Sequence, residues 1–421
     1  MEKLIIMGGT KLKGTVKVSG SKNAVLPIMA ASLLCDGQTV IHNVPRLRDV
    51  LVMEQVLQFL GAKTSKEGSA LTIDTRGVNP QRITEVLMRK LRASNLVMGP
   101  LIARYGEVQA AYPGGCAIGS RPMDLHTKGF QNLGVQVSEK FGYIYAKGNK
   151  LAGADIHLDV PSVGATENIM MAASLIHGET ILHNAAREPE IVDLQNFLNL
   201  MGAKVTGAGM DVIRILGVNR LRPVEHEVIP DRIEAGTHML AAAVTGGKMK
   251  LIDVIPEHVE PVIAKLREAG IEVQEKDNSI EIISRQRPGP IDIKTMPYPG
   301  FPTDMQPQMM VLMSISQGTG IVSESIFENR FRHVDELRRM GAHIKLEGNL
   351  GIIKGVPKLS GALVEAPDLR AGAALVLAGM AANDITVVEN VHHIDRGYEN
   401  LEQKYTDLGA RIVRVNNGFR S

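Results

Sequence analysis

A single cysteine stands among paired glycines and charged residues in Tyr112-Pro-Gly-Gly-Cys-Ala-Ile-Gly-Ser-Arg-Pro-Met-Asp-Leu-His126. Gly114, Gly115 and Gly119 lack a Cβ and let backbone approach a ligand closely, while Arg121 offers a fixed cationic fork suited to carboxylate or phosphate. The stretch reads as a mobile, anion-facing lid carrying a thiol. The alternative is a long surface turn with an incidental cysteine, which would be an oxidation liability. Cys35 is the only other cysteine, so neither a disulfide framework nor a multi-cysteine metal site is expected. It lies near the end of an apolar helix and reads as a small packed hydrophobe. His392 and His393 are adjacent, so on regular structure they point apart and do not chelate one metal. No metal site is expected.

Other residues able to do chemistry are Lys22, Arg92, Ser162, Arg232, Asp304, Asp368 and Arg370, and they share a position in a repeat. An apolar helix end, a glycine, a small residue and an alternating strand recur as Phe59-Leu-Gly-Ala-Lys63, Asn132-Leu-Gly-Val-Gln136, Leu200-Met-Gly-Ala-Lys204, Glu268-Ala-Gly-Ile-Glu272, Arg339-Met-Gly-Ala-His343 and Asp407-Leu-Gly-Ala-Arg411. The spacing is about 70 residues throughout. Each marker glycine is expected just past a helix end in the left-handed region, with a strand following. A helix rich in Ala, Ser and Met precedes each marker, as in Asn23–Leu34 and Thr166–Ile176, and should be buried on most faces. The stretch from Val50 to Leu60 instead has the one-sided period of a surface helix. Each unit therefore reads as helix, strand, helix, strand, strand. Six units give an α/β protein of two domains with three units each, buried helices and outer sheets; the Met-rich run Met305–Met313 belongs to the core.

The polar residues named above fall just before the buried helices. Helix N-termini carry unpaired N–H groups and a partial positive charge, so several converging would form an anion site. Lysine and arginine there oppose the dipole, which anionic ligands would explain. Asp304, in Phe301-Pro-Thr-Asp-Met-Gln306, is either an N-cap or a group able to accept a proton from a substrate hydroxyl. Arg330 and Arg396 lie in loops, where each either clamps phosphate or carboxylate or braces its loop.

Bulk properties narrow the field. The 421 residues are 44% hydrophobic and include 42 glycines, too long a chain for one core. A formal charge of +2 leaves no global field to recruit nucleic acid or a membrane surface. The opening apolar run is too short for a signal peptide, and no segment approaches a membrane span of about 20 apolar residues. A soluble cytoplasmic protein is expected. The glycine pairs at 8, 114 and 246 lack the strand and helix context of a phosphate loop or dinucleotide fingerprint.

Together these motifs resemble the enolpyruvyl transferases over essentially the whole chain, and among them those acting on UDP-N-acetylglucosamine. The carrying residues are Gly20–Ala24, Leu91–Ser94, Pro113–His126, Ser162–Thr166, Arg187–Asp193, Pro230–Glu234, Phe301–Gln306, Glu328–Phe331 and His393–Glu399. The resemblance implies the inside-out α/β barrel, one domain spanning 22–229 and the other 1–21 plus 230–421. It implies transfer of the enolpyruvyl group of phosphoenolpyruvate to the 3′-hydroxyl of the sugar nucleotide, with phosphate released, no cofactor and a monomeric enzyme. Transfer to shikimate 3-phosphate is the sister activity, against which the cysteine loop and the Arg-Pro-Met-Asp-Leu segment argue. A non-catalytic six-unit clamp on nucleic acid is the reading from another class, and the balanced charge disfavours it.

By the same resemblance, Cys116 donates the proton to C3 of phosphoenolpyruvate and Asp304 faces the reacting hydroxyl. Lys22, Asn23, Arg121, Arg330, Arg370 and Arg396 would hold phosphoenolpyruvate, with Lys22 and Arg396 also in the catalytic set. Arg92, Arg121, Pro122, Met123, Asp124, Leu125, Ser162, Val163, Gly164, Asp304 and Ile326 would hold the sugar nucleotide. Val160 departs from the family pattern, standing where many members place a lysine against the diphosphate; Pro161 and Met123 also differ from the commonest residues. The lid cysteine is expected to react with an epoxide mimic of phosphoenolpyruvate such as fosfomycin.

Overall fold

The computed structural model describes residues 2–113, 118–119 and 123–416. They divide into two compact units, one of residues 2–19, 118–119 and 230–416, the other of residues 20–113 and 123–229. Each has its own hydrophobic core.

Three small-residue helices form the middle of each unit. In the unit of residues 20–229 they are Lys22–Ala31, Met98–Tyr105 and Val163–Ala173; in the other they are Arg232–Thr245, Gln306–Ser314 and Leu369–Ala381. Every residue of Gln306–Ser314 is buried, as is every one of Leu369–Met380. Ala, Gly and Met on all sides leave such a helix no face suited to water, so sheets must cover it. The helix Arg48–Phe59 is different: Val52, Met53, Val56 and Leu57 face inward while Leu51 is exposed.

After each buried helix come a strand, a second helix and a hairpin. In the first repeat these are Gln38–His42, Arg48–Phe59, Lys63–Glu67 and Ala70–Asp74. The six marker glycines, Gly61, Gly134, Gly202, Gly270, Gly341 and Gly409, all lie between φ +82° and +106°. A side chain there would be strained, and the strand starts one or two residues later. Five sheets have four strands and one has three, the last extended by a lone parallel bridge between Ile83 and Ala110.

Strand exchange closes each unit. Glu225–Glu227, from the end of the third repeat, pairs in parallel with Gln38–His42 of the first. In the other unit Lys13–Lys17 pairs in parallel with Lys248–Ile252, and Glu2–Met7 lies antiparallel between Ile385–Glu389 and Arg411–Asn416. Eleven ladder residues thus tie the chain's beginning to its second half, too many backbone bonds for it to belong elsewhere.

Three expectations need correction. Lys22, Arg232 and Arg370 do not precede their helices; they sit in the first turn, and Ser21, Asp231 and Asp368 occupy the cap positions. Those small acceptors satisfy the free N–H groups, so the cations are released for other work. Arg396 ends a 3₁₀ helix, Val391–Arg396, instead of lying in a loop. The His392 and His393 rings do not point apart: their centroids are 4.1 Å from each other within that 3₁₀ helix.

Candidate active site

In the unit of residues 230–416 the chemistry gathers on one carboxylate. Asp304 lies in the 3₁₀ turn Thr303–Met305 and caps no helix, since Pro302 and Met305 take the cap positions. Arg330 donates from Nη2 to its Oδ1 at 2.9 Å and from Nε to the Thr303 carbonyl at 3.2 Å. Arg370 donates from Nε to its Oδ2 at 3.1 Å. Both arginine side chains are only 2% exposed, whereas Asp304 is 27% exposed. One carboxylate thus aligns two desolvated guanidiniums and keeps an open side of its own.

Arg370 has capacity left over. Its Nη1 and Nη2 are buried and find no acceptor among the described residues, and its guanidinium carbon lies 5.3 Å from the centre of the Tyr398 ring. Burial works against its charge, but Tyr398 and the carboxylates of Asp304 and Asp231 outweigh that and raise its pKa. The Tyr398 hydroxyl is fixed in turn by Thr237 at 2.9 Å and by the Gln308 amide at 3.2 Å. Buried, charged N–H ends with no acceptor among the described residues suit an anionic partner. His333 is fully buried nearby in sequence, with neither ring nitrogen hydrogen-bonded, and burial lowers its pKa.

The unit of residues 20–229 mixes charged and neutral groups at the predicted positions. Its clearest ion pair near the predicted positions is Lys22 Nζ with Asp49 at 3.6 Å, the lysine 12% exposed. Ser21 and Ser162 cap their helices by accepting from the Ala24 and Ala165 N–H groups. Arg92 opens the 3₁₀ helix Arg92–Val97, which leads into Met98–Tyr105. Met123, 3% exposed, precedes the helix Asp124–Asn132, and Asp124 and Leu125 form its first turn. Val163 and Gly164 begin Val163–Ala173. Val160 is 58% exposed.

Among the remaining predicted residues, Asn23 is half-buried beside Lys22 and Ile326 is half-buried, its N–H donating to Glu324 at 2.9 Å. Cys116, Arg121 and Pro122 lie outside the described residues. Cys35 is buried, its thiol 3.5 Å from the Ser32 carbonyl, and desolvation raises its pKa.

Buried polar residues within the helices were missed from sequence. Asn95, His126 and Asn168 form one hydrogen-bonded group, and Glu167 is 3% exposed with a pKa raised well above the ordinary value by burial and then by Glu190 and Glu188. The available signal was polar residues interrupting an otherwise apolar, fully buried helix, as Glu167 and Asn168 do before Ile169-Met-Met-Ala-Ala173.

The family described as EPSP synthase (3-phosphoshikimate 1-carboxyvinyltransferase) matches residues 6–405. The chain is 58% identical over 416 residues to UDP-N-acetylglucosamine 1-carboxyvinyltransferase 1 of Carboxydothermus hydrogenoformans, covering 99% of each. It is 53% identical over 415 residues to the UDP-N-acetylglucosamine 1-carboxyvinyltransferase of Geobacter metallireducens, covering 99% of this chain and all of that one. In fold it matches the enolpyruvyl transferase NikO from Streptomyces tendae, with TM-score 0.88, 24% identity, and coverage of 98% and 99%. It also matches EPSP synthase from Acinetobacter baumannii, with TM-score 0.78, 18% identity, and coverage of 99% and 100%. The architecture is therefore the two-domain α/β fold of these enzymes, and the chain belongs to the enolpyruvyl transferase family, among its UDP-N-acetylglucosamine 1-carboxyvinyltransferases.

Proposed function

We propose that this enzyme transfers the enolpyruvyl group of phosphoenolpyruvate to the 3′-hydroxyl of UDP-N-acetylglucosamine and releases phosphate, the first committed step of peptidoglycan precursor synthesis. The observation that carries the reading is identity above one half, along nearly the whole chain, to relatives of that name. The unmatched Arg370 donors support it independently, because phosphoenolpyruvate brings a phosphate and a carboxylate to be neutralised.

The reaction is an addition followed by an elimination. Protonation of C3 makes C2 electrophilic, the sugar hydroxyl adds to C2 as its proton leaves, and a tetrahedral phospholactyl intermediate forms. Loss of a C3 proton and of phosphate then restores the double bond. In this reading Cys116 supplies the proton at C3, and the exposed edge of Asp304 receives the hydroxyl proton. Its two guanidinium partners hold that carboxylate in place. Arg330 and Arg370, with Lys22, Asn23, Arg121 and Arg396, neutralise phosphoenolpyruvate and the departing phosphate. Arg92, Arg121–Leu125, Ser162–Gly164 and Ile326 hold the sugar nucleotide. The enzyme works in the cytoplasm as a monomer and is alkylated at Cys116 by fosfomycin.

The test is phosphate release with phosphoenolpyruvate and either acceptor, for wild type and Cys116→Asp. Turnover with UDP-N-acetylglucosamine is expected for both, since aspartate can donate a proton but cannot form a thioether. Turnover only with shikimate 3-phosphate overturns the reading. Mass spectrometry after fosfomycin treatment should place the adduct on Cys116; an adduct on Cys35 would count against the lid thiol.

A further inference from the structure

His126 closes the sequence motif of the lid, yet no role attaches to it in the reaction. Its side chain is almost wholly buried, and it meets three segments of one unit at once. Nδ1 lies 3.0 Å from the Asn168 amide nitrogen, and Nε2 lies 3.4 Å from the Asn95 amide nitrogen. A Cβ placed on Gly164 would stand 3.2 Å from its Cε1. The ring therefore touches the start of Val163–Ala173, follows directly on Met123–Leu125, and reaches the 3₁₀ helix opened by Arg92. The Asn95 amide nitrogen also lies 3.3 Å from the Met123 sulfur.

The geometry fixes the ring's proton. Asn168 Oδ1 accepts from the Gly99 N–H at 2.8 Å, so its Nδ2 must face His126 and also donates to the Asn95 carbonyl at 3.2 Å. Nδ1 then has to accept, and the single ring proton sits on Nε2. A half-turn of the Asn95 amide brings its oxygen to that proton, in exchange for the contact of its nitrogen with the Met123 sulfur. A charged ring would set Nδ1–H against Asn168 N–H, donor against donor. Burial, and then Arg92, lower the ring's pKa to about 4.

We propose that His126 is a positioning residue for the sugar nucleotide. As a neutral wedge it sets the distance between Met123–Leu125 and Ser162–Gly164, two segments assigned above to holding that substrate. The inference rests on that assignment. It takes no part in proton transfer, and phosphoenolpyruvate binding does not depend on it. A side chain on Gly164 would press on the ring, with its Cβ 3.2 Å from Cε1.

The experiment is steady-state phosphate release with each substrate varied in turn, on the full chain, for wild type, His126→Leu, His126→Asn and Gly164→Ala. His126→Leu keeps volume but loses the acceptor, and KM for UDP-N-acetylglucosamine is expected to rise by about tenfold to a hundredfold, the cost of a misplacement near 1 Å. KM for phosphoenolpyruvate and kcat should stay within about twofold, since a uniform binding loss leaves the chemical step alone. His126→Asn restores an acceptor opposite Asn168 and should recover most of the loss. Gly164→Ala, which pushes a methyl group at the ring, should raise the same KM. Equal loss of kcat and both KM values, no change in any variant, or no rescue by asparagine overturns the proposal. If His126→Leu does not fold, Gly164→Ala and His126→Asn decide it by the same readout. Wild type that does not use UDP-N-acetylglucosamine at all removes the functional reading instead.

Discussion

The two units repeat one architecture, and one cluster from each shows contrasting chemistry. Around Asp304 two buried arginines converge on a carboxylate, with charged donors to spare. Around His126 a neutral imidazole and two amides satisfy one another in a dry setting. The first arrangement presents charged donors that suit an anion; the second satisfies its polar groups internally. The difference teaches that repeats of one architecture gather polar groups of different charge near their buried helices.

The sharpest way to break the contrast is to remove charge from the first cluster. Arg370→Leu should lower kcat/KM for phosphoenolpyruvate by about a thousandfold, the scale for losing a preorganised charge partner, and Arg370→Lys should not rescue it because a point charge cannot replace a fork. Phosphate-release kinetics check both. Asp304→Asn comes next: it leaves two buried guanidiniums uncompensated, so we expect about 3 kcal/mol less stability and about a hundredfold less turnover. Chemical denaturation paired with kinetics would reveal either. If these substitutions cost no more than Asn168→Ala, which strands the Gly99 N–H for about 1–3 kcal/mol, the contrast is wrong.

Acid should act on the neutral cluster. His126 has an ordinary pKa of 6.5 and about 4 in the folded chain, so between those values the unfolded chain binds the extra proton. Its contribution is present above pH 6.5 and is lost as pH falls towards 4, by roughly 3 kcal/mol at most. Thermal melts across that range should show the loss, and His126→Asn should flatten it. Glu167 works in the other direction. Its pKa is raised, so it favours the folded state below its ordinary 4.5 and loses that contribution as pH rises. Glu167→Gln should therefore raise Tm at pH 8 and leave it nearly unchanged at pH 4.

The smallest effects compare the repeat markers. Gly341 has φ +87° and nothing within 4 Å of a new Cβ, so Gly341→Ala should cost only the left-handed strain, about 1–2 kcal/mol. Gly134 has nearly the same φ, but its Cβ would land on the Lys150 carbonyl. Gly134→Ala should cost more, and equal costs in denaturant melts would show that strain alone governs both.

Much of this was written locally. The six glycine markers predicted left-handed helix ends, because only the residue's own backbone freedom decides them. The Ala- and Met-rich helices predicted burial, because composition on every face leaves no alternative. Cys35 and Met305–Met313 were read correctly as packing on the same ground. Helix starts were blurred by one or two residues, since a cap and a first-turn side chain look alike in a sequence: Asp231 and Arg232 are neighbours with different tasks.

The sequence by itself determined the number of repeats, the class of fold, the family and the residues able to carry charge or accept a proton. Only the tertiary structure decided which of them meet. Asp304 is joined to Arg330 and Arg370 across 26 and 66 residues, and His126 to Asn95 and Asn168 across 31 and 42. Asp304–Arg370 and His126–Asn168 join different repeats and the other two pairs join distant parts of one repeat, and all are fixed by packing whose energy comes from apolar burial spread over the core. No local pattern records them.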